Sequence, residues 1–265
     1  MLLVIEIGNT TAVFAVFSED ACVEVCKLST ASLSGPEAIE NRLSPFLARY
    51  PDLRDTAFCS VVPGLDQPVL DVLGRLLGGR DSRGRIMQVA SSLNLPFSLR
   101  YDSPATFGPD RIALCAYSRR RYPGEAVIAI DIGTAITFDV LGSGGDYLGG
   151  LIMPGLDLMA RSLHEHTARL PIVRISEPVS ITGFSTEECI RNGIAWSCAA
   201  GIEGLAEKIA RRLHEEHGEK AVRIIATGGN APLVAGMTAM PAEVDELAVL
   251  RGTLYLFELN CSGAS

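Results

Sequence analysis

The sequence predicts an α/β fold made of two similar domains. Apolar strands alternate with helical segments along the chain, which is typical of a parallel or mixed sheet in each domain. A strand, turn and strand pattern occurs twice, at residues 2–14 and again at residues 127–139. With 265 residues the chain is long enough for two cores. We therefore expect one domain at residues 1–121 and a second at residues 122–265.

Each copy of the repeat is expected to be a hairpin with a ligand-binding turn. An apolar strand ends near a carboxylate, Glu6 in the first copy and Asp131 in the second, and a glycine turn with hydroxyl groups follows. Glycine allows the close backbone approach that a turn around a ligand needs. Turn N–H groups and the hydroxyls can face a phosphate while the acid holds a cation. The hydroxyls belong to Thr10, Thr11 and Thr134.

The other elements follow from periodicity and from glycine and proline positions. Gly35 and Pro36 signal a helix start, Pro63 ends a short buried strand, and Gly78 stops a helix. In the first half these signals predict strands at 22–28, 57–62 and 86–89, helices at 36–48 and 68–77, an irregular segment at 101–111, and a helix starting at Ile112. In the second half they predict a glycine-rich turn at 142–155, helices at 156–165, 186–212 and 247–260, and a strand before Gly228.

Composition excludes several classes of partner. The net charge of −8 argues against a nucleic-acid partner, which requires clustered Lys and Arg. We expect no membrane partner either, because no stretch is long and apolar enough to cross a bilayer and Glu6 interrupts the N-terminal apolar run. Seven cysteines without a Cys-x-x-Cys pair favour a reducing compartment. The expected location is the cytoplasm.

A third glycine element follows another apolar strand, at Gly228 and Gly229. The chain thus has two predicted phosphate turns followed by a Gly-Gly turn, where an adenosine can lie. This order of motifs resembles that of the actin, sugar kinase and heat-shock ATPase superfamily. That resemblance implies two ribonuclease H-like domains of the actin-like ATPase type.

The first-half and second-half turns contain no lysine, and the chain has no Gly-x-x-x-x-Gly-Lys-Ser/Thr sequence. Backbone donors and Mg²⁺ near Glu6 and Asp131 are therefore expected to offset the phosphate charge. A kinase also needs a carboxylate that accepts the proton of the attacking hydroxyl, and Asp110 is the candidate. Arg111 beside it can bind an anionic substrate group. The alternative is that Asp110 is a helix N-cap and Arg111 a surface residue.

Several ordered motifs together resemble the type III pantothenate kinase family, and they extend over nearly the whole chain. They are Glu6 to Thr10, Ser60 to Pro63, Tyr101 to Pro104, Gly108 to Arg111, Asp131 to Asp139, Tyr147 to Gly155, Thr167 to Pro171, Thr186 with Gly193, and Thr227 to Gly229.

The resemblance implies ATP-dependent phosphorylation of the pantothenate 4′-hydroxyl, the first step of coenzyme A synthesis. It also implies a homodimer with a shared active site, using Mg²⁺ and a monovalent cation, K⁺ or NH₄⁺. By motif, Asp110 is the general base and Asp131 holds the monovalent cation. The expected ATP-binding residues are Glu6, Ile7, Gly8, Asn9, Thr10, Thr11, Ala12, Val13, Thr134, Gly228 and Gly229. The expected pantothenate-binding residues are Tyr101, Gly108, Pro109, Asp110, Arg111 and, from the partner subunit, Thr186.

One departure from the family pattern concerns the first acid, because the family has Asp where this chain has Glu6. The extra methylene moves the carboxylate about an ångström further into the space expected for metal and water. Sites of this kind tolerate a displacement of only about half an ångström. Glu6 therefore leaves open a non-catalytic accessory or regulatory relative that keeps the fold and ligand binding. A further alternative is another small-molecule kinase or phosphatase of the superfamily.

Overall fold

The computed structural model describes residues 1–78 and 84–261. The chain divides into two compact units. The first consists of residues 1–120 together with the C-terminal helix from Ala248, and the second of residues 121–247. The sequence-based division put this last helix in the second domain, whereas in the structure it packs on strands of the first unit. Its helical periodicity shows a buried face but does not indicate which sheet covers that face.

The first unit contains a mixed five-stranded sheet in the order β3-β2-β1-β4-β5. The first three strands form an antiparallel meander, and β4 and β5 run parallel to β1. The parallel pairing of β1 with β4 requires a crossover, which a helix supplies. The strands are β1 (Leu2–Ile7), β2 (Thr11–Ser18), β3 (Ala21–Ser29), β4 (Asp55–Ser60) and β5 (Ile86–Gln88).

Helices cover both faces of this first sheet. The helices of the unit are α1 (Pro36–Ala48), α2 (Pro63–Gly78), α3 (Pro109–Arg121) and α7 (Ala248–Cys261). Leu3, Ile5 and Ile7 pack into one core with α1 and α2. Because side chains alternate along a strand, Glu6 points to the other face. On that face α7 packs against β1 and β4.

The second unit repeats the same strand order, as β10-β9-β6-β7-β8. The duplicated sequence pattern therefore corresponds to a duplicated topology, and the predicted fold class is confirmed. Its strands are β6 (Ala126–Ile132), β7 (Ala135–Leu141), β8 (Tyr147–Pro154), β9 (Val222–Thr227) and β10 (Ala242–Val244). Its helices are α4 (Leu156–Glu165), α5 (Thr186–His217) and α6 (Ala231–Met237), and α4 and α5 contribute to the core with β6 and β7.

Some predicted elements differ from the structure. Most of the predicted glycine-rich turn at 142–155 is the strand β8, whose glycines Gly149 and Gly150 pair with β7 at the edge of the sheet, where glycine is tolerated. The short elements α6 and β10 were not predicted. Helix α5 continues to His217 and ends at Gly218, which has a left-handed backbone with φ of 67°. In the described part of the chain, no helix combines the length and apolar character needed to cross a membrane.

Candidate active site

In the turn of the first hairpin, backbone carbonyl groups accept hydrogen bonds from other residues of the first unit. The N–H of Gly8 donates to the carbonyl of Thr11 at 2.9 Å. Thr30, just beyond β3, donates its hydroxyl to the carbonyl of Gly8 at 2.7 Å and its N–H to the carbonyl of Thr10 at 3.0 Å. The side chains of Asn9, Thr10 and Thr11 are exposed. The turn is therefore held from inside and presents polar groups outward. Sequence reasoning missed Thr30.

Glu6 lies in a regular part of the sheet. It is opposite Val13 of β2 and Cys59 of β4, and the register is continuous on both sides. Its side chain is partly buried. The strand backbone therefore contains no bulge at the position where this chain carries Glu.

Asp110 lies in the first turn of α3, as the second helical residue rather than the residue before the helix. The N–H of Arg111 donates to Asp110 Oδ1 at 2.8 Å. An ideal Cβ on Gly108 would lie 2.4 Å from the same oxygen, so a residue larger than glycine would displace the carboxylate. Burial raises the pKa of Asp110, and the contacts with Arg111 offset part of this effect. The group is thus a carboxylate of increased basicity at a helix start.

Arg111 is buried, with only 7% of its surface exposed, and is not the surface residue of the alternative interpretation. Its guanidinium carbon lies 4.3 Å from the ring centroid of Phe107, and Phe107 packs edge-on against Tyr101 with the ring centroids 5.1 Å apart. Such stacking fixes the orientation of a guanidinium group. The structure thus brings together Tyr101, Gly108, Asp110 and Arg111. Phe107, which joins them, was not predicted.

The second hairpin has a shorter turn that is supported by the start of α4. Gly133 donates its N–H to the carbonyl of Ala135 at 3.1 Å, and Gly155 donates to the carbonyl of Thr134 at 2.9 Å. An ideal Cβ on Gly155 would lie 2.1 Å from the carbonyl oxygen of Gly133. Only glycine permits this approach. The side chain of Thr134 is exposed.

Asp131 connects this turn to the Gly-Gly turn after β9. Gly228 has φ of +91°, and an ideal Cβ there would lie 2.4 Å from Asp131 Oδ1 and 2.7 Å from the carbonyl oxygen of Ile132. That carbonyl also accepts the N–H of Asn230 at 3.0 Å. Within the second unit, the two predicted ATP-binding turns therefore meet at the carboxylate of Asp131.

The oxygen ligands at these turns suit hard cations. Within residues 1–78 and 84–261, no group of three or more His, Cys, Asp or Glu side chains is arranged to hold a metal. Mg²⁺ in kinases is commonly bound through one or two carboxylates together with substrate phosphates. Single carboxylates such as Glu6 and Asp131 fit that mode of binding.

Thr186 is the first residue of α5 and is exposed. The helix start is capped on both sides, since Ser185 Oγ accepts the N–H of Glu188 at 3.2 Å and Glu188 accepts the N–H of Phe184 at 2.7 Å. Thr186 borders a largely apolar cavity of about 610 Å³ formed by α4, α5 and the segment before α5. Phe184 beside it is 97% exposed.

The fold is of the class found in actin-like ATPases and sugar kinases. The chain superposes with a TM-score of 0.59 on a Baf family transcriptional activator from Campylobacter jejuni, at 20% identity and with 98% of this chain and 99% of the other covered. It also superposes with a TM-score of 0.59 on a 2-dehydro-3-deoxygalactonokinase protein from Sinorhizobium meliloti, at 10% identity and with the same coverage. At these identities the likeness concerns the fold alone.

Sequence comparison identifies the family. The model of the type III pantothenate kinase family matches residues 2–208. A type III pantothenate kinase from Chlorobium luteolum is 50% identical over 263 residues, with 98% of this chain and 94% of the relative covered. Another from Streptomyces coelicolor is 30% identical over 270 residues, with 99% of both chains covered. This chain belongs to the type III pantothenate kinase family, and the predicted resemblance is confirmed.

Proposed function

We propose that this protein transfers the γ-phosphoryl group of ATP to the 4′-hydroxyl of pantothenate, the first step of coenzyme A synthesis. The family match over residues 2–208 is the observation that carries this assignment. The matched range contains Asp110, our candidate for the carboxylate that phosphoryl transfer to a hydroxyl requires, and the buried guanidinium of Arg111 beside it.

In the proposed mechanism Asp110 accepts the proton of the attacking hydroxyl. Partial burial raises the pKa of Asp110, which makes the carboxylate a better proton acceptor. Arg111, whose guanidinium is stacked on Phe107, binds an anionic group of the substrate. Tyr101, Gly108 and Pro109 line the same part of the pantothenate site.

The nucleotide is proposed to bind through the glycine turns. N–H groups and hydroxyls of residues 8–11 and Thr134 bind phosphate oxygens, and residues 228–229 border the adenosine. Ile7, Ala12 and Val13 belong to the strands that hold the first turn. When bound, Mg²⁺ neutralises the charge of the β- and γ-phosphates. Asp131 provides a carboxylate ligand for a monovalent cation, K⁺ or NH₄⁺. Glu6 is the candidate carboxylate ligand of Mg²⁺.

We further propose a homodimer in which Thr186 completes the pantothenate site of the partner. The surface around Thr186 supports this arrangement because it is apolar and unusually exposed. Three apolar residues in the segment before α5 have high relative exposure, which is 104% for Val179, 67% for Ile181 and 97% for Phe184. Apolar side chains in such a cluster are typical of an interface. Sedimentation of an active monomer would contradict the shared site.

The test is a coupled ADP-release assay with and without pantothenate, in the presence of Mg²⁺ and K⁺. ADP release should depend on pantothenate, and Asp110→Asn should lower kcat by about 10²-fold or more while ATP binding persists. The matched control is Asp71→Asn, an exposed carboxylate on α2 of the same unit, which should be unchanged. Pantothenate-independent ADP release, or none, would contradict the proposed function.

A further inference from the structure

Helix α7 crosses α3 at a single glycine. An ideal Cβ on Gly252 would lie 1.8 Å from the carbonyl oxygen of Ala113, 2.5 Å from its carbonyl carbon and 3.1 Å from its Cα. Ordinary contacts of a Cβ begin at 3.4 Å. The obstructing atoms belong to backbone, so no change of rotamer can make room. Any side chain at position 252 must separate the two helices.

The point of contact lies in the turn that carries the proposed base. Ala113 follows Asp110 by three residues, which is less than one helical turn. A shift of Ala113 therefore moves Asp110 as well. At the opposite end of α3, Arg120 forms an ion pair with Glu258 of α7, and its guanidinium lies 4.9 Å from the ring centroid of Tyr255. These contacts hold that end of α3 against α7. A side chain at position 252 therefore displaces mainly the other end of α3, which carries Asp110.

Helix α7 has little room to move away instead. It packs against β1 and β4. Its last turn is fastened by Asn260, which donates from Nδ2 to the carbonyl of Asn94 at 3.0 Å and accepts the N–H of Asn94 at 2.8 Å. The sheet and these hydrogen bonds hold α7 in place, so α3 is the element that shifts.

We propose that Gly252 is a positioning residue of the active site, which allows α7 to hold the first turn of α3 where Asp110 meets the substrate hydroxyl. This inference rests on the proposed function, in which Asp110 is the general base. A methyl group at position 252 needs about 1.6 Å more space to reach ordinary contact with the carbonyl oxygen of Ala113. Catalytic groups tolerate about 0.5 Å of displacement, and about 1 Å can cost 10²-fold in rate.

The test compares Gly252→Ala with a glycine that has open space around it. Gly74→Ala in α2 is the matched control, since it is helical, lies in the same unit and has nothing within 4 Å of an added Cβ. Gly252→Ala should lower kcat by about tenfold or more at saturating substrates, with the KM for ATP unchanged. Gly74→Ala should leave both parameters unchanged. An unchanged kcat in folded Gly252→Ala would overturn the proposal.

A double-mutant cycle separates positioning from general destabilisation. If Gly252 acts through Asp110, Gly252→Ala should have no further effect on kcat in the Asp110→Asn background. An equal fractional loss in both backgrounds would overturn the proposal. If instead Asp110→Asn itself leaves kcat unchanged, the proposed role of Asp110 fails first, so the two failures are distinguishable.

A second variant decides the matter if Gly252→Ala does not fold. Glu258→Gln removes the charge that ties α7 to Arg120 at a partly exposed position, where folding should be preserved. We expect a lower kcat in the wild-type background and no effect in the Asp110→Asn background. An unchanged kcat in the wild-type background would overturn the proposal.

Discussion

Replacing Gly228 by alanine tests the junction between Asp131 and the Gly-Gly turn. Gly228 has φ of +91°, which costs an L-residue about 1–2 kcal/mol. The added Cβ would also lie 2.4 Å from Asp131 Oδ1 and 2.7 Å from the backbone of Ile132. Relieving such overlap in a packed site typically costs a further 1–3 kcal/mol, roughly. The expected total is about 2–5 kcal/mol.

Gly229→Ala is the matched control. Gly229 is the next residue along the chain, and an added Cβ there has nothing within 4 Å. Thermal unfolding without ligands measures the strain alone. For a chain of this size, each kcal/mol lowers Tm by about 2–4 °C, so Gly228→Ala should unfold at least about 4 °C below wild type. Gly229→Ala should unfold close to wild type.

Enzyme kinetics measure the consequence for the nucleotide. Because the carboxylate of Asp131 must move by about 1 Å to accept the methyl group, Gly228→Ala should raise the KM for ATP by about tenfold or more and weaken activation by K⁺. Equal Tm values for the two alanine variants would refute the reasoning from geometry. A Tm loss without any change in the KM for ATP would separate this junction from the nucleotide site.

Three further outcomes are expected. Asp110→Asn should unfold at a higher temperature than wild type at pH 8 and lose this advantage toward pH 4. The raised pKa of Asp110 means that burying its charge costs stability only as the pH rises above about 4 and the carboxylate ionises; an advantage that is constant with pH would contradict this. Activity should rise steeply with K⁺ or NH₄⁺ and much less with Na⁺, and equal rates in the three salts would remove Asp131 as a size-selective cation ligand. Glu6→Asp should raise kcat/KM by about tenfold, or about 1.4 kcal/mol of transition-state stabilisation; a protein that is inactive both as wild type and as Glu6→Asp would favour the accessory-protein alternative.

Elements defined by local signals were the ones that sequence could predict. Helix α1 has the predicted bounds because Gly35 precedes it and Pro36 is its first residue. Both hairpins followed from apolar runs around a glycine turn. Strand β8 was missed because Gly149, with φ of +121°, and Gly150 have the composition of a turn. Its hydrogen-bond partner β7 is a tertiary feature that no local pattern reveals.

In the site too, groupings of residues close in sequence were predicted, whereas contacts between residues far apart in sequence were not. The proximity of Gly108, Asp110 and Arg111 was expected because they are close in sequence. Thr30 was missed because its bond to Gly8 spans 22 residues. The burial of Arg111 was also not predicted, since a charged residue at a helix start is ordinarily exposed. The available signal was Phe107, an aromatic residue four positions earlier that provides the stacking partner.

The two hairpins differ in a way that bears on Glu6. Both acids occupy the next-to-last position of the first strand of their hairpin. The turns differ in length, because the last pair of the first hairpin, Ile7 with Ala12, encloses four residues. The last pair of the second hairpin, Ile132 with Ile136, encloses three. The first copy therefore has both the longer acid and the longer turn. Because the register at Glu6 is regular, the strand does not absorb the extra methylene by a bulge. The side chain of Glu6 therefore keeps its full additional length. If Mg²⁺ binds beside this acid, as proposed, a shorter acid leaves more room for the metal and its water ligands, so we expect Glu6→Asp to increase activity rather than reduce it.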